Sequence, residues 1–185
     1  MFAVTAALAG TIPPMHAQEP AVGYRVLSTS KTSTMQKEMQ EAAQAGFRFA
    51  GVIGGETAMG GSEVLVIMER GADRMAYEYR LLATSKTSTM QKELQEAGAL
   101  GFSYRGQTQF KSAFGGREVV VMLERSTNGD RRGYEYLLLA TSKTSTMQKE
   151  MTEAAERGFA FVGLTVGKTA MGGDEVVSIM QRQTR

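Results

Sequence analysis

The stretch Thr84-Ser85-Lys86-Thr87-Ser88-Thr89-Met90-Gln91-Lys92-Glu93 occurs three times in the chain without a change. Its other copies are residues 29–38 and 141–150. The similarity extends outward from this block, because residues 24–70, 79–125 and 136–182 align without a gap. Recurrence of this kind is typical of tandem structural repeats. The sequence therefore predicts three copies of one folding unit, in which the ten-residue block is held constant while its flanks drift.

The first half of each unit predicts a strand followed by a helix. In the middle copy, residues 77–83 alternate and are rich in aromatic side chains, as in a strand. We expect the helix to begin at Ser88, because Gln91 lies at capping-box spacing from it. Met90 and the apolar residues after it recur at helical spacing, and Gly101 is placed to take the left-handed conformation that ends a helix.

The second half predicts a hairpin. Residues 102–107 alternate between two faces with Phe102, Tyr104 and Gly106 on one of them, and Gly115-Gly116 marks a turn. Residues 118–125 form a third strand that is apolar on both faces, which favours the middle of a sheet. We therefore expect an α+β fold of three tandem β-α-β-β repeats, each a mostly antiparallel sheet in the order 1-3-2 with one helix crossing over it.

Each unit, of about 48 residues, is too short to bury a secure core alone. We therefore expect the repeats (18–70, 77–125 and 134–182) to pack together through the sheet faces that their own helices leave uncovered, here called the second faces. The side chains expected there are Leu27, Val52, Leu65, Ile67, Leu82, Val120, Met122, Leu137, Leu139, Val162, Leu164, Val177 and Ile179.

The N-terminal segment predicts export. Residues 2–12 are apolar and uncharged, Pro13-Pro14 follows, and polar sequence begins after Ala17. This pattern is typical of a signal peptide at 1–17, although no Lys or Arg precedes the apolar run. We expect a periplasmic or secreted protein, and a frayed N-terminal helix is the alternative. No segment has the ~18 apolar residues needed for a membrane-spanning helix.

Composition excludes several chemistries. The chain has no Cys, and its one His, His16, lies in the segment expected to be removed. Thiolate zinc sites, Cys nucleophiles and His-based catalysis are therefore excluded on inventory, and we expect no cofactor, no metal site and no catalytic residue. The formal net charge of +2 gives no indication of a nucleic-acid surface.

One junction resembles a known domain family. In each copy the helix ends in Gly followed by an aromatic residue that enters a strand, as at Gly101-Phe102. This resembles a bacterial domain family of unknown function with a Tyr-rich first strand, a helix, a Gly-Trp-Glu-like junction and a β-hairpin. Tyr79, Leu94 and the strand 119–125 match that pattern, whereas Phe102 stands in place of the usual Trp. The resemblance implies the β-α-β-β fold and no activity.

The start of each helix is the first candidate binding site. Its hydroxyls and Lys precede or open a helix whose N-terminus exposes N–H groups, which favours an anionic ligand or polymer. The simpler interpretation is that Ser and Thr only cap the helix. The candidate residues are Lys31, Thr32 and Ser33, with Lys86, Thr87 and Ser88 and with Lys143, Thr144 and Ser145.

The hairpin tips are the second candidate. Each carries one large apolar residue, namely Met59, Phe114 and Met171, which either contacts a protein partner or folds back over the sheet. The sequence alone favours a non-enzymatic exported binding or structural repeat protein. The alternatives are a self-assembling envelope protein that pairs through edge strands, and a small enzyme or regulator with a composite site between repeats.

Overall fold

The structure, a computed structural model, describes residues 23–56, 62–70, 75–111, 117–129, 132–168 and 173–184. It confirms an α+β fold of three tandem β-α-β-β repeats. Repeat 1 comprises β1 (Gly23–Thr29), α1 (Thr32–Gln44), β2 (Phe47–Glu56) and β3 (Ser62–Arg70). Repeat 2 comprises β4 (Tyr77–Thr84), α2 (Thr87–Ala99), β5 (Ser103–Lys111) and β6 (Arg117–Ser126). Repeat 3 comprises β7 (Tyr134–Thr141), α3 (Thr144–Glu156), β8 (Ala160–Lys168) and β9 (Asp174–Gln183).

The three sheets share one topology. Each is antiparallel, in the orders β1-β3-β2, β4-β6-β5 and β7-β9-β8, which confirms the predicted 1-3-2 order. Each helix is followed by a glycine with positive φ, at Gly46, Gly101 and Gly158, as the sequence predicted for Gly101. None of the helices in the described residues is both long enough and apolar enough to cross a membrane.

A β-bulge interrupts the second strand of every repeat. In β5 the pairing skips one residue, so that Tyr104 lies opposite Leu123 and Gly106 lies opposite Met122. The extra residue moves the rest of the strand to the other face of the sheet. The prediction that Tyr104 and Gly106 share a face is therefore wrong.

The repeats stack so that α1 and α2 each lie between two sheets. Met35 and Met39 of α1 are fully buried with Val66 of their own sheet, and the same core contains Leu81 and Met122 from the second face of the next sheet. The second core repeats this arrangement one unit later, with α2 between sheet 2 and the second face of sheet 3. The expectation that the sheets pack through their second faces in one shared core is therefore only partly right, because the second faces of sheets 2 and 3 are buried in separate cores, each against the helix of the preceding repeat.

Within the part of the chain that the structure describes, a neighbouring repeat covers the second faces of sheets 2 and 3. The core under α3 contains side chains of repeat 3 alone, with Ala154, Phe159 and Met180 buried at its centre. No described residue of another repeat packs on the second face of sheet 1, where Tyr24 and Val26 are exposed. The stack is consequently directional, with one open sheet face at its N-terminal end and one half-covered helix at its C-terminal end.

Some of the expected face assignments are wrong. In the first strands the tyrosines point to the second face, so the leucines one or three residues after the last tyrosine point toward the helix. In the second strands the bulge reverses the residues that follow it. The side chains that lie on the helix side instead are Leu27, Leu82, Leu137, Leu139, Val52 and Leu164.

Candidate functional site

The candidate anion-binding residues lie at the three helix starts, but they do not cap the helices with their side chains. The N-cap residues are Lys31, Lys86 and Lys143, and no side chain caps any of the three helices. The expected capping box of Ser88 and Gln91 is therefore wrong. The hydroxyl that shapes this turn belongs to the first Thr of the block: Thr84 Oγ1 accepts the N–H of Lys86 at 3.3 Å.

The glutamine of the constant block joins one repeat to the next. Gln91 Oε1 accepts the N–H of Leu138 at 2.7 Å, and Gln91 Nε2 donates to the carbonyl of Tyr136 at 2.9 Å. The equivalent Gln36 accepts the N–H of Leu81 at 2.9 Å. Since β4 and β7 are edge strands, these side chains satisfy backbone groups that no neighbouring strand reaches.

A second glutamine, one helical turn later, repeats the contact. Gln40 Oε1 accepts the N–H of Tyr79 at 3.1 Å, and Gln95 Nε2 donates to Tyr136. Helices α1 and α2 thus run along the free edge of the following sheet and occupy the place of a fourth strand. In repeat 3 the corresponding residues are Gln148 and Thr152, and the described residues contain no fourth sheet for them to contact.

One of the helix starts is bound by an acidic side chain of the same protein. Thr87 Oγ1 donates to Glu175 Oε1 at 2.7 Å, so the N-terminus of α2 faces a carboxylate from the neighbouring β9. The helix dipole favours a negative charge there. This contact indicates that the block serves contacts between repeats, and binding of an external anion stays a prediction.

A buried ion-pair network joins repeats 1 and 2, and we call the contact between these two repeats the first junction. Arg48 donates from both Nε and Nη2 to the carboxylate of Glu124, which is almost fully buried, with the shortest contact at 2.8 Å. Tyr79 Oη donates to the same carboxylate at 2.9 Å and accepts the N–H of Phe49 at 2.8 Å. Burial, with the nearby Glu124 carboxylate, raises the pKa of Tyr79 well above its ordinary 10.0.

At the second junction, between repeats 2 and 3, uncharged side chains form the equivalent hydrogen bonds. Gln181 stands where repeat 2 has Glu124, and its Oε1 accepts the N–H of Tyr104 at 2.9 Å. Tyr136 Oη donates to the carbonyl of Phe102 at 2.9 Å. Burial raises the pKa of Tyr136 above 10.0, and burial raises that of Tyr104 to about 12. The tyrosine in the first strand is therefore a recurring connection between repeats.

An aromatic side chain of each repeat packs on a glycine of the next. A Cβ placed on Gly106 would lie 3.0 Å from the ring of Phe49, and one on Gly163 would lie 2.5 Å from the hydroxyl of Tyr104. Phe49 and Tyr104 occupy equivalent positions, as do Gly106 and Gly163. The third glycine of the set, Gly51, has no atom within 4 Å of such a Cβ.

The two ends of the stack expose the residues that the junctions bury. Tyr24 is 65% exposed, whereas its equivalents Tyr79 and Tyr136 are 3% and 0% exposed. Phe161 is 53% exposed, whereas its equivalent Phe49 is 7% exposed. Among the described residues, nine large hydrophobic side chains are exposed and seven of them lie at these two ends. The seven are Tyr24, Val26 and Ile53 at the N-terminal end and Phe161, Leu164, Val166 and Val176 at the C-terminal end.

We call these surfaces the N-terminal face and the C-terminal face. The N-terminal face is the second face of sheet 1, formed by Tyr24, Val26, Ile53 and Gly51 with their neighbours. The C-terminal face is the outer side of α3 with the adjoining strip of sheet 3. It contains a mainly apolar groove and the exposed strand residue beside it, Leu164; the groove is lined by Thr144, Met147, Gln148, Met151, Thr152, Ala155, Phe159, Ala160, Phe161 and Met180.

The hairpin-tip candidates Met59, Phe114 and Met171 lie outside the described residues, as does the expected signal peptide. Comparison with protein-family models, curated proteins and solved structures found no match. The resemblance to a small bacterial domain family therefore stays a hypothesis. The two terminal faces are the features of the molecule that bear on its function.

Proposed function

We propose that the chain is a non-enzymatic structural repeat protein that binds a macromolecular partner through the terminal faces of its stack. The proposal depends on one observation: exposed apolar side chains are concentrated at the two ends. A concentration of this kind is typical of interaction surfaces. The proposal keeps the exported location expected from residues 1–17.

The geometry gives less support to the two other functions. Anion recognition at Lys31, Lys86 and Lys143 competes with the internal use of the helix start by Glu175. A composite active site would lie in the cavity at the first junction, beside Arg48, Ser103 and Glu124. The Glu124 carboxylate is already bound by Arg48 and Tyr79, which makes it a poor general base.

Site-specific photo-cross-linking tests the proposal. A photoreactive amino acid at Leu164, on the C-terminal face, is expected to form adducts of protein mass in cells that produce the full chain. The matched control is Leu100, which is 53% exposed like Leu164 but lies at the end of α2, away from both faces. Equal adduct yields at the two positions would show that the terminal face has no special role in binding.

A further inference from the structure

We propose that the partner is a second copy of this chain, bound head to tail, with the C-terminal face of one copy on the N-terminal face of the next. This inference rests on the proposed function and names its partner. The contact between copies would repeat the contact seen between repeats 1 and 2 and between repeats 2 and 3. The N-terminal face carries one side of that contact, and the C-terminal face carries the other.

The aromatic–glycine contact supplies the first argument. Phe49 packs on Gly106, and Tyr104 packs on Gly163. Phe161 is the third aromatic of the series and is exposed, while Gly51 is the third glycine and has open space above it. Placing Phe161 of one copy on Gly51 of the next would form a third aromatic–glycine pair of the kind already present between the repeats.

The helix–edge contact supplies the second argument. Gln36 and Gln91 accept the N–H groups of Leu81 and Leu138, and the next pair in the alignment is Gln148 with Val26. Val26 lies in β1, an edge strand, and its side chain is exposed. In the assembly, Gln148 of one copy binds the backbone of Val26 in the next, so that α3 protects an edge that is otherwise open to unspecific pairing.

The polar contacts between repeats support the same head-to-tail alignment of two copies. Thr87 donates to Glu175 across the second junction, and the corresponding residues at the open ends are Thr144 and Glu63. Tyr79 Oη accepts the N–H of Phe49, and the corresponding groups are Tyr24 and Phe161. Since the two faces differ, the contact is heterologous, and it produces open chains of copies unless a rotation closes them into a ring.

Two substitutions at the terminal faces test the inference, because Gly51 is half-buried with open space above it and Leu164 is exposed. Gly51→Val places a side chain where Phe161 docks, and Leu164→Lys places a charge on the opposite face. We expect the weight-average mass of the full chain, measured by sedimentation velocity, to rise with concentration above that of one chain. Each substitution should weaken association at least tenfold, while Leu100→Lys should leave it unchanged.

Mixing the two variants makes the test directional. Gly51→Val keeps an intact C-terminal face, and Leu164→Lys keeps an intact N-terminal face. The mixture is therefore expected to form a complex of one copy of each, whereas each variant alone stays monomeric. A two-fold symmetric dimer would not give this pattern, and its appearance would overturn the head-to-tail arrangement.

Cross-linking checks the register. The native chain has no Cys, so cysteines introduced at Val26 and Gln148 are the only thiols available to a cross-linker. A short bismaleimide should then give a ladder of covalent oligomers. The control pairs Val26→Cys with Lys149→Cys, since the Lys149 side chain is 79% exposed and ion-paired with Glu153 on the solvent side of α3, and this pair should give no ladder.

A full chain that stays monomeric at all concentrations, or that associates equally well with both substitutions, would overturn self-association. If Leu164 nevertheless cross-links to a different protein in cells, the proposed function stands and only its assignment to a second copy fails. The two experiments thus separate the general proposal from the specific one.

Discussion

Phe49 of the first repeat packs against Gly106 of the second, at the point where a Cβ on the glycine would lie 3.0 Å from the ring. The contact joins the second strands of two different repeats, β2 and β5. It depends on the bulge of the second strand, which turns Gly106 to the second face, opposite Met122. A sequence change that fills this position should therefore act on the junction between repeats.

We expect Gly106→Val to destabilise the protein by about 1–3 kcal/mol, because overpacking forces the Phe49 ring and the adjoining Val52 to move. Urea unfolding followed by circular dichroism measures the change. Gly51→Val is the matched control, since the same substitution meets no atom there and valine favours strands. Equal losses of stability in the two variants would contradict the role assigned to the contact.

Replacing a glutamine of the constant block should have an effect that depends on the repeat. Gln91→Ala leaves the N–H of Leu138 without its partner and is expected to reduce the free energy of unfolding by about 1–3 kcal/mol. Gln148→Ala should change it little, because that side chain is exposed at the end of the stack. Thermal unfolding at a concentration where the chain is monomeric compares the two; a similar loss in both would indicate a role within the helix.

The tyrosine of the first strand offers a comparison at equivalent positions. Tyr79→Phe removes the donor to Glu124 and the acceptor for the N–H of Phe49, so we expect a loss of about 1–3 kcal/mol. Tyr24→Phe alters an exposed residue and should be nearly neutral in the monomer. Chemical denaturation of both variants tests this, and a neutral Tyr79→Phe would show that the network does not stabilise the junction.

Alkaline pH should weaken the fold through the buried tyrosines. Burial raises the pKa of Tyr104 from 10.0 to about 12, so the folded state holds its proton after the unfolded state has lost it. The stability from this group is fully present below pH 10 and declines as pH rises toward 12. Urea titrations between pH 9 and pH 12 should show this decline, and Tyr104→Phe should make it shallower. A slope unchanged by that substitution would contradict the assignment.

The sequence predicted the unit well because its signals are local. The recurrence of the block defined three copies, the two-sided apolar strand ending at Leu123 placed β6 in the middle of its sheet, and Gly101 marked the helix end. The same reasoning missed the bulge in each second strand, although a glycine follows it in every copy (Gly51, Gly106 and Gly163) and a glycine inside a strand often marks a bulge. The register after that point was therefore reversed for side chains such as Val52 and Leu164.

The candidate site was harder to predict because its partners lie in another repeat. Gln91 was interpreted as a capping residue within its own helix, although its hydrogen-bond partners are more than forty positions away in β7. A signal was nevertheless present. The first of the two helix glutamines is kept in all three copies, beyond any need of the N-cap, whereas the second becomes Thr152 in the third copy, whose helix contacts no further sheet among the described residues.

A helix of one repeat packs on the second face of the repeat that follows it. Duplication of one repeat within the gene therefore adds both a new helix and a new second face for it to contact. The added unit receives a helix from its predecessor and offers its own to its successor, and the outermost surfaces do not change. Recombination between the coding segments of equivalent repeats would thus alter the length of the protein while preserving the way in which its copies meet.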